Sequence, residues 1–360
     1  MKKIPAYFAC TTPYQIIGAI DIVLSKHLVA DLYIFGMFKN HEKVAEKLND
    51  RGVFRKVIDV SPNDYKIKNP NIDGTIQVIC AKSIVRNFLD DDLCYDTYYY
   101  TSYAHLKVLL EHVLLMRNPK MRSVIYDDGT GTYSRNSGIY EISPLRKKLE
   151  KFLGWKQIPT DSTSFLVREP ELLCLPAKYQ DCCVEKMTTV TEQTKDISKK
   201  IFSVDEKKVI KEKVIIFDML RGTGRVAAET LEKLDHYYSL IADAFESDNV
   251  ICKPHPRSRL SSEVEIKQYT DTEIPMEILY SEMQNLENRV LVSYSSTALF
   301  TPKMLFGKEP VIISLHKLLP IGESYSDLFE RFRMSYEDRK LVFTPNTEQE
   351  LEECLRTLKT

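Results

Sequence analysis

The chain has no long apolar run. No stretch approaches the roughly 20 apolar residues that a membrane-spanning helix needs. It also has almost no net charge: 50 Lys and Arg oppose 51 Asp and Glu, for a formal charge of −1. No global field therefore draws it to nucleic acid or to an anionic surface. It has eight cysteines but no C-x-x-C pair and no repeating spacing. Several lie inside apolar runs, where they read as small buried hydrophobes, and a reduced, cytoplasmic setting is expected. The opening Met1-Lys2-Lys3-Ile4-Pro5 is not expected to lead into a signal peptide, because the apolar run after it is short and breaks at Thr11-Thr12-Pro13. Internal repeats and low-complexity tracts are missing too.

What is present is an ordinary globular composition, 43% hydrophobic and 28% charged over 360 residues. That length is too great for one typical domain and fits two. Residues 1–155 alternate strand and helix signals. Strands are expected over 6–10, 31–38, 56–60, 96–103 and 122–126, and helices over 13–28, 41–49 and 106–116. Thr12 is a candidate N-cap with Pro13 at the first helical position. Residues 213–345 repeat the logic, with strands over 214–217, 250–253, 290–293 and 311–315 and helices over 226–245 and 297–306. A terminal helix is expected within 346–360, after the cap sequence Pro345-Asn346-Thr347. Between the halves, 156–212 carries prolines and a Lys-rich stretch and reads as linker and domain-edge structure. A basic amphipathic helix is expected from Pro144 to Trp155; its solvated face is the plain reading and peripheral membrane contact the other. The alternation predicts an α/β fold of parallel sheets covered on both faces.

Two signatures stand where a strand ends and a loop begins, the edge at which open α/β sheets bind ligands. The first is Tyr126-Asp127-Asp128-Gly129-Thr130-Gly131. Adjacent carboxylates at a strand end point in different directions, so one can face a ligand while the other caps the loop. Gly129 lets the backbone turn and a ligand approach. A plain Asp-Gly turn is the alternative. The second is Lys253-Pro254-His255-Pro256-Arg257. Flanking prolines stiffen the loop around the imidazole, and Lys253 and Arg257 make it suited to a phosphate. A third segment, Ser295-Ser296-Thr297, opens a predicted helix, where free backbone N–H groups form an anion site; a simple N-cap is the other reading.

Lesser candidates are Glu277, a possible ribose contact, and Thr11, Thr12 and Gln15 at the end of the first strand. Asp218 and Arg221 end the first strand of the second half. Gly222-Thr223-Gly224 is not a dinucleotide fingerprint, since the third glycine is missing. Tyr98-Tyr99-Tyr100 reads as core strand. The D-x-D spacing of metal-dependent glycosyltransferases does not occur beside Asp127.

These motifs, in this order, resemble those of the bacterial sialyltransferases, nearest to glycosyltransferase family 52, the lipooligosaccharide and capsule α-2,3-sialyltransferases. The resemblance rests on Asp127 to Gly131, Pro254 to Arg257, Ser295-Ser296, and Cys10 to Gln15. It implies a glycosyltransferase B fold: two doubly wound Rossmann-like domains facing a cleft. It further implies CMP-sialic acid as donor, no cofactor or metal, and an acceptor ending in galactose, on a free oligosaccharide or a lipid-linked glycan. By the same analogy Asp128, supported by Asp127, is the base, with Asp218 a rival. His255 and the two serines stabilise the departing CMP, and Glu277 holds the ribose. Location at the inner face of the inner membrane would suit a lipid-linked acceptor, and a homodimer is left open. The rival readings are a UDP-sugar transferase or epimerase, and a non-catalytic nucleotide or glycan sensor.

Overall fold

The computed structural model describes residues 2–36, 38–60, 80–90, 92–101, 105–134, 148, 152, 154–223, 226–319 and 323–359. The chain divides into two compact units, Met1–Ile201 and Phe202–Thr360.

In the first unit the strands are β1 (Lys2–Cys10), β2 (Ala30–Phe35), β3 (Lys56–Val60), β4 (Leu93–Tyr100), β5 (Arg122–Tyr126), β6 (Thr163–Val167) and β7 (Val184–Lys186). The helices are α1 (Pro13–Ser25), α2 (His41–Arg51), α3 (Ala81–Val85), α4 (His105–Arg117) and α5 (Glu192–Ile201). The sheet order is β3-β2-β1-β4-β5-β6-β7, and every pairing is parallel. The strand order reverses between β1 and β4, which is the switch point of a doubly wound sheet.

Alternation of side chains along the strands feeds two aromatic layers. On one face Tyr7 stacks on Tyr98, ring centroids 4.4 Å apart, and packs with Tyr95, Leu109, Val113 and Leu114. On the other, Phe8 stacks on Tyr99 at 4.5 Å and meets the edge of Tyr126. The three consecutive tyrosines are thus core strand, as expected.

In the second unit the strands are β8 (Val214–Phe217), β9 (Val250–Lys253), β10 (Lys267–Gln268), β11 (Val290–Ser293), β12 (Val311–Ser314) and β13 (Val342–Phe343). The helices are α6 (Ala228–Phe245), α7 (Met276–Glu282), α8 (Thr301–Phe306), α9 (Glu323–Ser335) and α10 (Glu348–Lys359). The order β10-β9-β8-β11-β12-β13, again parallel, is the same winding as the first six strands of the other sheet. The apolar face of α6, with Leu234, Tyr238 and Ile241, packs on Val214, Ile216 and Val250, and α10 adds Leu351 and Leu355. The fold class is the expected one: α/β, with two doubly wound Rossmann-like units.

Besides strand ends that shift along the chain (β2 ends at Phe35 rather than 38, and β4 is Leu93–Tyr100 rather than 96–103), three expectations differ from the structure. The stretch 156–212 is not all linker: β6 pairs with β5, β7 extends the same sheet, and α5 belongs to the first unit. The tie is buried and polar. Asp21 of α1 accepts hydrogen bonds from Thr191 N (3.2 Å) and Thr194 Oγ1 (2.9 Å) and lies 3.6 Å from the Arg168 guanidinium. Second, the helix expected over 297–306 is broken: a 3₁₀ turn, Thr297–Leu299, precedes α8. Pro302 lies in the first turn of α8 and cannot continue a helix from upstream. Third, α1 stops at Ser25 rather than residue 28, with His27 at φ 50°. Most of the basic helix expected from Pro144 to Trp155, and Gly224, lie outside the described residues.

Candidate active-site elements in each domain

The first-domain site is built on two strand ends. β1 ends at Cys10, and Thr12, in extended conformation, caps α1 by accepting the Gln15 N–H at 3.3 Å. Pro13 follows at the first helical position. The cap puts the Gln15 side chain back over the strand end, where its Oε1 accepts from Thr11 N (2.6 Å) and Thr11 Oγ1 (3.1 Å). Its Nε2 donates to Asp128 Oδ1 at 2.8 Å. Thr11, Gln15 and Asp128 are therefore one hydrogen-bonded group, although the first two are buried and Thr12 serves as a cap.

The two aspartates separate cleanly. Asp127 is 1% exposed and accepts four hydrogen bonds: Tyr14 OH (3.0 Å), Gly129 N (2.7 Å), Arg168 N (3.1 Å) and the Tyr133 hydroxyl. A buried carboxylate so fully satisfied fixes a loop. Asp128 is half-buried, with its backbone N–H held by Thr132 Oγ1 at 2.7 Å. Gly129 sits at φ 73°, and a Cβ there would meet the Tyr14 ring at 3.7 Å. The left-handed turn, rather than space, is what calls for glycine. Sequence reading missed Tyr14, Tyr133 and Arg168, the partners of Asp127. The signal for Tyr14 was its place directly after the cap and Pro13; Arg168 lies 41 residues from its carboxylate and gave none.

In the second domain the P-H-P-R loop leaves the end of β9. The Arg257 backbone N–H donates to His255 Nδ1 at 3.1 Å. An acceptor Nδ1 puts the ring proton of the neutral imidazole on Nε2, which is thereby a donor. His255 is half-buried, and burial, followed by the charges of Arg257 and Lys253, pushes its pKa below the ordinary histidine value. Arg257 is exposed.

Lys253, expected with Arg257 to suit the loop to a phosphate, is buried. It is 6% exposed, its Nζ donates to Ile274 O (3.3 Å), and it lies 4.8 Å from the Tyr269 ring centre. Burial lowers its pKa to about 8. Glu277, in the first turn of α7, feels that ammonium; burial raises its carboxyl pKa and the Lys253 charge opposes the rise. Lys253 thus braces the segment that carries Glu277.

Ser296 caps the 3₁₀ turn by accepting the Ala298 N–H at 3.2 Å, and its own N–H donates to Ser293 Oγ at 3.0 Å. Ser295 is half-buried and Thr297 exposed. The expected helix N-terminus is only a turn here, so fewer aligned amides stand behind it.

Asp218 and Arg221 are held in a buried network. Arg221 Nε donates to Asp218 Oδ2 at 2.6 Å, and its two terminal nitrogens bind Asp235 at 2.9 and 2.8 Å. Ser258 Oγ accepts the Arg221 N–H at 3.0 Å, joining this loop to the histidine loop. Both ends of the guanidinium are occupied and Asp218 is 5% exposed. The pair supports the His255 loop, and Asp218, which also accepts the Met219 N–H at 2.8 Å, is buried and paired with Arg221.

A family model described as Alpha-2,8-polysialyltransferase (POLYST) matches residues 7–316. The chain belongs to that family. It is therefore a member of a glycosyltransferase family, whose reaction takes a nucleotide-sugar donor and a glycan acceptor. The chain also has the two successive Rossmann-like domains that the glycosyltransferase B expectation calls for. The matched family is named for α-2,8 linkage, whereas the motif resemblance pointed to the α-2,3 enzymes of family 52.

No curated protein matches the chain. Among solved structures it is similar to Acinetobacter baumannii MurG (TM-score 0.41, 10% identity, covering 100% of this chain and 91% of that one). It is also similar to apo UGT2 of Phytolacca americana (0.42, 10%, 99% and 90%) and to a UDP-N-acetylglucosamine 2-epimerase (0.44, 10%, 99% and 91%). Among the described residues of this polysialyltransferase-family chain, no helix is long and apolar enough to cross a membrane.

Proposed function

We propose that this protein transfers sialic acid from CMP-sialic acid to a glycan acceptor, with inversion and without a metal ion. Asp128 takes the proton from the acceptor hydroxyl. His255 Nε2–H donates to the phosphate of the departing CMP, with Arg257 and the Ser295 and Ser296 groups adding positive potential. Glu277 holds the ribose. Charge grows on the phosphate as the glycosidic bond breaks, and donors already aimed at that charge supply much of the acceleration.

The observation that carries this reading is the division between the two aspartates: Asp127 is spent on four hydrogen bonds, while Asp128 is half-buried and oriented by Gln15. A sensor would have no use for an oriented carboxylate beside a fixed one. The family match favours a sialic acid terminus as acceptor, extended through α-2,8 linkage. Terminal galactose with α-2,3 linkage is the second reading, favoured by the ordered D-D-G-T-G and P-H-P-R motifs.

The test is CMP release from CMP-sialic acid in EDTA, with lactose and with sialyllactose as acceptors. Release stimulated by sialyllactose supports the α-2,8 reading, and release stimulated by lactose the α-2,3 reading. No CMP binding and no release would overturn the donor assignment and bring a UDP-sugar forward. Release abolished by EDTA and restored by a divalent cation would overturn metal independence.

A further inference from the structure

The first domain has a concavity toward the opposite end of β5 and β6 from Asp128. It has a volume of about 670 Å³ and opens along the N-terminal halves of β5 and β6, beside Thr97 and Tyr99 of β4. That is larger than an ion or a few waters need and falls in the range of ligand pockets. Its floor is formed by Tyr99 and Val124. Tyr99 is 8% exposed, held at its side by its stack on Phe8 of the neighbouring strand, so this part of the lining is firm. Within the lining, the Ser123 and Thr163 hydroxyls bond each other at 2.9 Å.

The rim decides the ligand class. Arg122 and Lys178 face the same space as Asp161 and Asp181, all four exposed. The charges cancel, so nothing concentrates a phosphate or a polyanion there. The rim is also too polar for an acyl chain. Thr97, Ser162 and Ser164 add hydroxyls to the same lining. Charged donors, charged acceptors and hydroxyls together with a partly apolar lining suit a ligand that offers many hydroxyls and no net charge, since each hydroxyl can both donate and accept and charge-assisted bonds are the stronger ones.

We infer that this cavity is an accessory saccharide site that holds a neutral stretch of the glycan acceptor away from its reacting end. The inference rests on the proposed transferase reading for its purpose, though its binding does not require turnover. Holding the acceptor at a second point makes engagement of its terminus intramolecular, which raises the effective concentration of that terminus only for acceptors long enough to span both points.

The test uses the full chain carrying Asp128→Asn, so that binding is read without transfer. A ladder of neutral galactose-containing oligosaccharides of increasing length and a matched ladder of oligosialic acid are titrated by calorimetry. Ser164→Trp, which fills the cavity, is compared with Ser164→Ala. The expected result is that long neutral oligosaccharides lose about tenfold in affinity with Trp, equal to ~1.4 kcal/mol, and keep it with Ala. In the otherwise wild-type chain, Ser164→Trp raises KM for long acceptors by a similar factor and leaves kcat on short ones unchanged. If Ser164→Trp does not fold, Arg122→Ala with Asp181→Ala, both at exposed positions, gives the same reading. Equal affinity in wild type and variant, or a loss confined to oligosialic acid, overturns the assignment. If no donor turns over in any form of the protein, the titrations still decide the site while the transferase reading fails alone.

Discussion

Two neighbouring aspartates illustrate how environment assigns roles to identical side chains. Asp127 lost its water and gained four donors, among them the Gly129 and Arg168 amides. Removing it leaves those donors unpaired inside the protein, at a cost of about 1–3 kcal/mol for each buried group left unsatisfied. We expect Asp127→Ala to lower unfolding free energy by about 3 kcal/mol or more, read by urea denaturation. Asp128→Ala should change stability by no more than about 1 kcal/mol, yet slow single-turnover transfer by about 10²–10⁴-fold, the typical worth of a general base. Loss of activity with Asp127→Ala at unchanged stability, and none with Asp128→Ala, would reverse the assignment.

At the level of elements, the strand-to-helix turn after β1 is the part that orients Asp128, the proposed base. Thr12 is the cap: its hydroxyl receives the Gln15 amide, and the Gln15 carboxamide then bridges Thr11 to Asp128. Thr12→Ala should cost ~1 kcal/mol of stability, the usual worth of an N-cap, while Thr12→Ser retains the hydroxyl and most of that stability. If Gln15 orients the base through this cap, Thr12→Ala also lowers kcat, and Thr12→Ser restores it; equal kcat in both variants would confine the cap to stability. The serine turn between β11 and α8 is the contrasting element. Its cap is present at Ser296, but Pro302 breaks the helix behind it, so any phosphate contact there relies on hydroxyls and few amides.

For the whole molecule, pH acts through groups that folding removes from water. His316, at the end of β12, is 1% exposed, bonded to Ser314 Oγ through Nδ1 at 2.8 Å, and stacked on Phe329 with ring centroids 5.1 Å apart. Burial and the charge of Lys317 lower its pKa to about 4, against a smaller opposing effect of Glu330. A depressed pKa contributes stability above the unfolded value, near 6.5, and that contribution is lost as pH falls toward about 4. We expect a loss of up to about 3 kcal/mol across that window from this group. His316→Asn should flatten the dependence, whatever its effect on stability at neutral pH. An unchanged slope of melting temperature against pH would show that His316 is not the titrating group.

The sequence by itself determined the alternation of strands and helices, the parallel sheets, and the placement of both motifs at strand ends. Those follow from local periodicity, caps and β-branched runs, which each segment carries within itself. Tertiary structure decided the rest. Thr163–Val167, in a proline-bearing stretch, and the three-residue Val184–Lys186 do not announce themselves, and only pairing with β5 and the buried Asp21–Arg168 tie assigns them to the first sheet. Asp218 and Arg221 read as candidate contacts at a strand end until Asp235, on α6, closes on the guanidinium. Which aspartate of the pair is buried among four donors and which stays half-buried depends on Tyr133 and Arg168, and on Gln15 across the switch of strand order. Burial and long-range hydrogen bonds set these roles, and no window of neighbouring residues contains them.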